Sequence, residues 1–115
     1  MKMPHCIIEY SKDLEQKISV QEMMSKTYQG ALKSKLFSPH DIKIRATAFE
    51  HYQTADTKES FIHINIKILS GRTLEQRKIL SDTVLNEFQE IKVKPLSITI
   101  QISELEKESY SKIVR

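Results

Sequence analysis

At 115 residues, with 39% apolar and 29% charged side chains, the chain has the size and composition of one globular domain, which excludes a disordered chain or two ordinary domains. A net charge of +3 spread over interspersed acids and bases is too weak and mixed for a nucleic-acid partner. The single cysteine cannot close an internal disulfide, no apolar run approaches the ~20 residues that cross a bilayer, and nothing resembles a signal peptide. No membrane association and a cytoplasmic location are expected.

Residues Pro4 to Tyr10 are β-branched in the middle and read as a strand, followed by a polar connection from Ser11 to Lys17. Ser19 stands three residues before Glu22, the spacing of a capping box, and Val20, Met23, Met24, Tyr28, Ala31 and Leu32 recur at helical spacing. Ser38 to Asp41 ends that segment. Ile42, Ile44, Ala46 and Ala48 then alternate with Lys43, Arg45 and Thr47 as a half-buried strand, and Gln53 to Ser60 reads as a turn. From Phe61 to Ile68 the alternation is stricter, with four isoleucines on one face and His63, Asn65 and Lys67 on the other. Ser70 and Gly71 break the strand. Thr73 and Gln76 repeat the capping-box spacing, Leu80, Val84, Phe88 and Ile91 trace a second helical stripe, and Pro95 lies beyond its end. Ser97 to Ile102 alternates again, and the charged tail from Ser103 to Arg115 gives no structural expectation.

The expected order is β-α-β-β-α-β, an α/β (α+β) duplication in one domain over residues 1–115, with halves at about 4–52 and 61–102. Ser11-Lys12-Asp13-Leu14-Glu15-Gln16 echoes Gly71-Arg72-Thr73-Leu74-Glu75-Gln76, which supports the repeat. Because the strands alternate, only one face of the mixed sheet can lie under helices, so both helices belong on the isoleucine face. The other face, carrying Lys43, Arg45, His63, Asn65, Thr99 and Gln101, must meet water or another subunit, which favours oligomerisation.

His5, His40, His51 and His63 show no paired metal-ligand spacing, and Cys6 has no second cysteine, so no metal site is expected. Two glycines make no phosphate loop. Arg72 directly precedes the N-cap of the second helix, where unpaired backbone donors and a guanidinium together suit a carboxylate. Lys43 and Arg45 share a strand face and either extend a cationic pocket or coat the sheet. Taken alone, Arg72 is more simply a solvated loop arginine and Pro4 an ordinary proline at a strand start.

Met3-Pro4-His5 leading into Ile7-Ile8-Glu9, then Ile42-Lys43-Ile44-Arg45, Gln53-Thr54-Ala55-Asp56, Phe61-Ile62-His63 and Gly71-Arg72-Thr73-Leu74-Glu75, match a known pattern in order and spacing over most of the chain. On these residues the chain resembles the 5-carboxymethyl-2-hydroxymuconate isomerases of the tautomerase superfamily. The resemblance implies a homotrimer with sheets around a central axis, helices outside, and active sites near subunit boundaries. It also implies an isomerase of aromatic-compound degradation that catalyses enol–keto proton transfer in an unsaturated di- or tricarboxylic acid, with no metal or organic cofactor. In that family the initiator methionine is removed and the exposed proline is the base. By resemblance Pro4 is catalytic and Arg72 binds a substrate carboxylate, while Lys43 and Arg45 add positive charge.

Two departures bear on activity. Met1-Lys2-Met3 precede Pro4, and a proline nitrogen held in an amide has a delocalised lone pair and cannot act as a base. Where the family tends to show Ile-Arg-x-Arg, Lys43 keeps the charge but loses planar, bidentate recognition. The alternative is a non-catalytic trimer that binds small acids or a partner protein, with Pro4 blocked by Met1 to Met3.

Overall fold

A computed structural model describes residues 3–115 of the chain. Four strands, β1 (His5–Ser11), β2 (Lys43–Phe49), β3 (Ser60–Leu69) and β4 (Leu96–Leu105), form one sheet in the order β2-β1-β3-β4. Helix α1 (Val20–Lys33) connects β1 to its parallel neighbour β2, and α2 (Leu74–Glu87) connects β3 to its parallel neighbour β4. The two units meet where β1 runs antiparallel to β3. The expected β-α-β-β-α-β order and mixed sheet are therefore present, with pairing that places equivalent strands of the two units side by side at the centre.

The period-two pattern decides which face is covered. Ile62, Ile64, Ile66 and Ile68 are buried together with Cys6, Ile8 and Tyr10, and meet Met23 and Ala31 of α1 and Leu80 and Val84 of α2, with Phe88 at the end of α2. Each such isoleucine removed from water contributes about 1.5–3 kcal/mol, so a one-residue register slip, which would expose all four, is strongly disfavoured. The opposite face is polar and cross-linked between strands. His63 bonds Thr99 (2.7 Å) and Gln101 (3.0 Å), and the Ser103 hydroxyl donates to Asn65 (2.8 Å).

The helix starts follow their capping residues. Thr73 accepts from the Gln76 backbone while the Gln76 side chain accepts from the Thr73 backbone, a complete capping box. Ser19 accepts from the Glu22 backbone. Within α1 the fully buried positions include Thr27 and Gly30, while Tyr28 and Leu32 are only half-buried. Thr27 escapes a hydrophobicity count because it is polar, yet its hydroxyl is satisfied by donating to the Met23 carbonyl (2.8 Å).

Gly30 marks the closest approach of the two helices. A Cβ there would stand 2.5 Å from the Val84 Cα and 2.9 Å from the Thr83 carbonyl oxygen, both backbone atoms that cannot swing aside. Gly30→Ala is accordingly expected to destabilise the fold by about 1–3 kcal/mol despite alanine's better helix propensity, as a lowered denaturant midpoint would show.

Three segments add to the expected layout. The connection after β1 is a 3-10 turn, Lys12–Gln16, pinned by the buried Leu14. Strand β4 continues three residues beyond Ile102 because β3 offers partners as far as Leu69. The tail is ordered against the sheet end: the Ser70 backbone donates to Leu105 (2.8 Å), a 3-10 turn spans Lys107–Ser109, and Tyr110 reaches His5.

Candidate active site

The strand directions gather residues distant in sequence. Since β1 is parallel to β2 and antiparallel to β3, the start of β1 lies beside the start of β2 and the end of β3. His5 pairs with Lys43 on one side and Lys67 on the other, so one step back puts Pro4 level with Ile42 and Ile68. The Lys43 backbone N–H donates to the Pro4 carbonyl (3.1 Å), fixing the proline at the sheet end. Proline has no N–H to spend on the ladder. Its nitrogen is bonded to Met3, whose side chain is 1% exposed, so both the nitrogen and the space beside it are occupied.

Lys43 and Arg45 project on the open face of the sheet, the face of their register partners His5 and Ile7. The Lys43 ammonium donates to the Asp41 carbonyl (2.9 Å). An Arg45 guanidinium nitrogen sits 3.3 Å from His5 Nδ1, and the Tyr110 hydroxyl lies 2.8 Å from His5 Nε2. Arginine only donates, so Nδ1 is the acceptor and the proton of the neutral ring sits on Nε2, facing Tyr110. Desolvation holds the His5 pKa below its ordinary 6.5, and Arg45, Lys43, Lys67 and Lys112 push it further down.

This has a consequence for pH. The folded chain takes up its His5 proton later than the unfolded chain as pH falls. The stabilising contribution is thus full above about 6.5 and is lost as pH drops through the folded-state value. His5 should titrate below 6.5 in proton NMR, and His5→Gln should flatten the fall in melting temperature between neutral and mildly acidic pH.

Arg72 reaches the same end of the sheet from the helix side. Its Nη2 donates to the Leu36 carbonyl (2.8 Å) and its guanidinium lies 5.6 Å from the centre of the Phe37 ring, which belongs to the core. One of its five N–H donors is used in that bond. The helix start beside it offers less than the spacing suggests, because the capping box already occupies the backbone N–H groups of Thr73 and Gln76. The structure thus brings Pro4, Lys43, Arg45 and Arg72 to the same end of the sheet, with Lys43 and Arg45 on its open face and Arg72 on the helix side against Leu36 and Phe37.

A cleft of about 570 Å³ opens at this end, lined by His40, Asp41, Lys43, Lys112 and Val114. A cavity of similar size, lined by Ile18, Glu22, Ile91 and Val93 among others, lies between the start of α1 and the chain leading into β4, at the far end of the strands from Pro4. The meeting of His5, Tyr110 and Lys112 at this end is not legible in the sequence: His5 reads as a strand residue and the other two belong to a tail without periodicity. Cys6 is no nucleophile, since burial pushes its thiol up to about 12. Among the described residues no group of three or more His, Cys, Asp or Glu side chains could hold a metal ion, and no helix is long and apolar enough to cross a membrane.

Paired β-α-β units on one mixed sheet, together with a family match over nearly the whole chain, make this an isomerase of the tautomerase class. A family model described as 5-carboxymethyl-2-hydroxymuconate isomerase matches residues 4–113, and the chain belongs to that family. A crystal structure of a 5-carboxymethyl-2-hydroxymuconate delta-isomerase is similar with a TM-score of 0.86 and 17% identity, covering 98% of this chain and 89% of that one. A 5-carboxymethyl-2-hydroxymuconate isomerase from Deinococcus radiodurans R1 is 27% identical with a TM-score of 0.81, covering 99% of this chain and 91% of that one. A fused 4-OT described as a symmetric trimer shares the fold at 8% identity and a TM-score of 0.72, covering 94% of this chain and 90% of that one. No curated protein sequence matches. The comparisons give no support to a non-catalytic binding module.

Proposed function

We propose that the protein converts a 2-hydroxy dienol diacid to its keto isomer with the Pro4 amine as the proton carrier, in the cytoplasm and as a homotrimer. The family match begins at residue 4, and this is the observation that carries the reading: Pro4 is the first residue of the shared pattern. Removal of the residues before it would turn an amide nitrogen into a secondary amine and vacate the space that Met3 fills.

Such an amine starts from an α-amino value near ~8 and is lowered by desolvation and by neighbouring cations, which brings a base into the range where it titrates near working pH. Pro4 is buried in this chain, and its neighbour His5 lies among Arg45, Lys43 and Lys67, which makes the start of β1 a cationic setting. The amine takes the proton from the 2-hydroxyl as the C–O bond becomes a carbonyl and the double bonds shift. The resulting ammonium returns that proton to a carbon further along the conjugated chain, so one proton moves and no redox partner is required. The free N–H groups of Arg72 hold one carboxylate, while Lys43 and Arg45 favour the electron density that builds on oxygen. This proton transfer needs neither metal nor organic cofactor.

The trimer accounts for the open sheet face, whose polar rows already bond across strands and would otherwise be left to water. It is tested by sedimentation of the purified chain, for which a trimer mass is expected at micromolar concentration. The chemistry is tested by following loss of the dienol absorbance on the protein ending in Pro4: turnover is expected, and its absence with an intact fold would overturn the assignment.

A further inference from the structure

Arg45 stands across from Ile7 on the open face of the sheet, and His5 stands across from Lys43, two positions nearer the starts of β1 and β2. The Arg45 guanidinium nonetheless lies 3.3 Å from His5 Nδ1. Its side chain therefore runs back along the sheet, toward the end where the Lys43 N–H holds the Pro4 carbonyl. A long side chain loses rotamer freedom whenever it is fixed on an anion, and a protein acceptor that has already fixed it lowers that cost. The bond to His5 takes one of the five N–H donors of Arg45.

The acceptor is itself held. His5 Nε2 meets the Tyr110 hydroxyl at 2.8 Å, and the two rings stack edge-on with centres 6.2 Å apart. The tail that carries Tyr110 is tied down in turn where the Lys107 backbone N–H meets the Ser70 hydroxyl (3.3 Å). The ring accepts from Arg45 only while neutral, because a protonated Nδ1 would turn an N–H toward the guanidinium. Desolvation, and after it the charges of Arg45, Lys43, Lys67 and Lys112, favour the neutral ring.

We propose that His5 is a positioning residue for Arg45: braced by Tyr110 of the carboxy-terminal segment, its Nδ1 aims the guanidinium at the end of the sheet where substrate binds. This rests on the tautomerase reading above, in which Arg45 meets the substrate oxygen, and deepens it by giving the tail a part in binding. The tail acts through His5 and touches no substrate.

The probe is 2-oxoadipate, a keto diacid without a conjugated chain to rearrange, titrated calorimetrically into the protein beginning at Pro4. Arg45→Ala should weaken its binding. His5→Ala should weaken it by about threefold to tenfold, the cost of ordering one long side chain. His5→Asn, whose Oδ1 offers an acceptor near the place of Nδ1, should restore most of the affinity, and Tyr110→Phe should cost about twofold to threefold. In the Arg45→Ala background the loss caused by His5→Ala should vanish, which a general structural role would not produce. In nitrogen NMR the His5 ring should carry its proton on Nε2, and should become a mixture of tautomers in Arg45→Ala. The same loss from His5→Ala with and without Arg45, or no loss at all, overturns the inference alone. If Arg45→Ala leaves binding unchanged, the substrate role of Arg45 fails and the inference falls with it. Binding needs no base, so these outcomes are independent of whether Pro4 turns over a dienol.

Discussion

In the protein processed to Pro4, Pro4→Ala should lower kcat for ketonisation of a 2-hydroxy dienol diacid by about 10²–10⁴-fold, with KM changed little. Alanine would still present an α-amine, but a primary one free to rotate about its single bond to Cα. The pyrrolidine ring instead fixes the direction of the lone pair relative to the strand. The contact that anchors the residue, Lys43 N–H to the Pro4 carbonyl, is made by the backbone and survives the substitution. Stability should therefore hardly move, and a loss of rate at unchanged melting temperature separates chemistry from folding. Unchanged kcat would mean that the pyrrolidine ring is not what the proton transfer requires.

Arg72→Ala should reduce kcat/KM by about 10–100-fold, chiefly through KM, because a carboxylate held equally in the ground and transition states contributes to binding more than to turnover. Arg72→Lys should fall between the two, since lysine keeps the charge and loses the planar fork. The guanidinium also covers Phe37 and bonds the Leu36 carbonyl, so some loss of stability is expected in Arg72→Ala. The lysine variant limits that complication, and a diacid KM that rises while melting is preserved identifies the binding role.

The architecture was readable because it is written in strong periodicities. The alternating isoleucines of β3 could face only one way, and Thr73 with Gln76 announced a helix start that the capping box makes real. Thr27 and Gly30 look like interruptions of an apolar stripe, yet one is satisfied by its own helix and the other is required where α2 comes too close for a side chain. The tail has no period of its own; its path is set by Ser70, by the Leu105 carbonyl and by His5.

The site was legible in part for the same reason. Lys43 and Arg45 sit two apart on a strand and had to share a face, and the register then places them beside His5. Arg72 was correctly expected next to a helix start. At that start, however, the Thr73 and Gln76 N–H groups are already taken by capping side chains, so it offers an anion less than the bare spacing suggests. The arrival of Tyr110 and Lys112 at this end of the sheet depends on a chain crossing that no local pattern encodes.

The most direct measurement compares two forms of the same protein, one beginning at Pro4 and one retaining Met3, in their rates of conversion of a single dienol diacid. Rapid conversion by the form with the secondary amine, and none above the solvent rate by the form whose nitrogen is an amide, is the result expected. Equal rates from both would contradict a proline base.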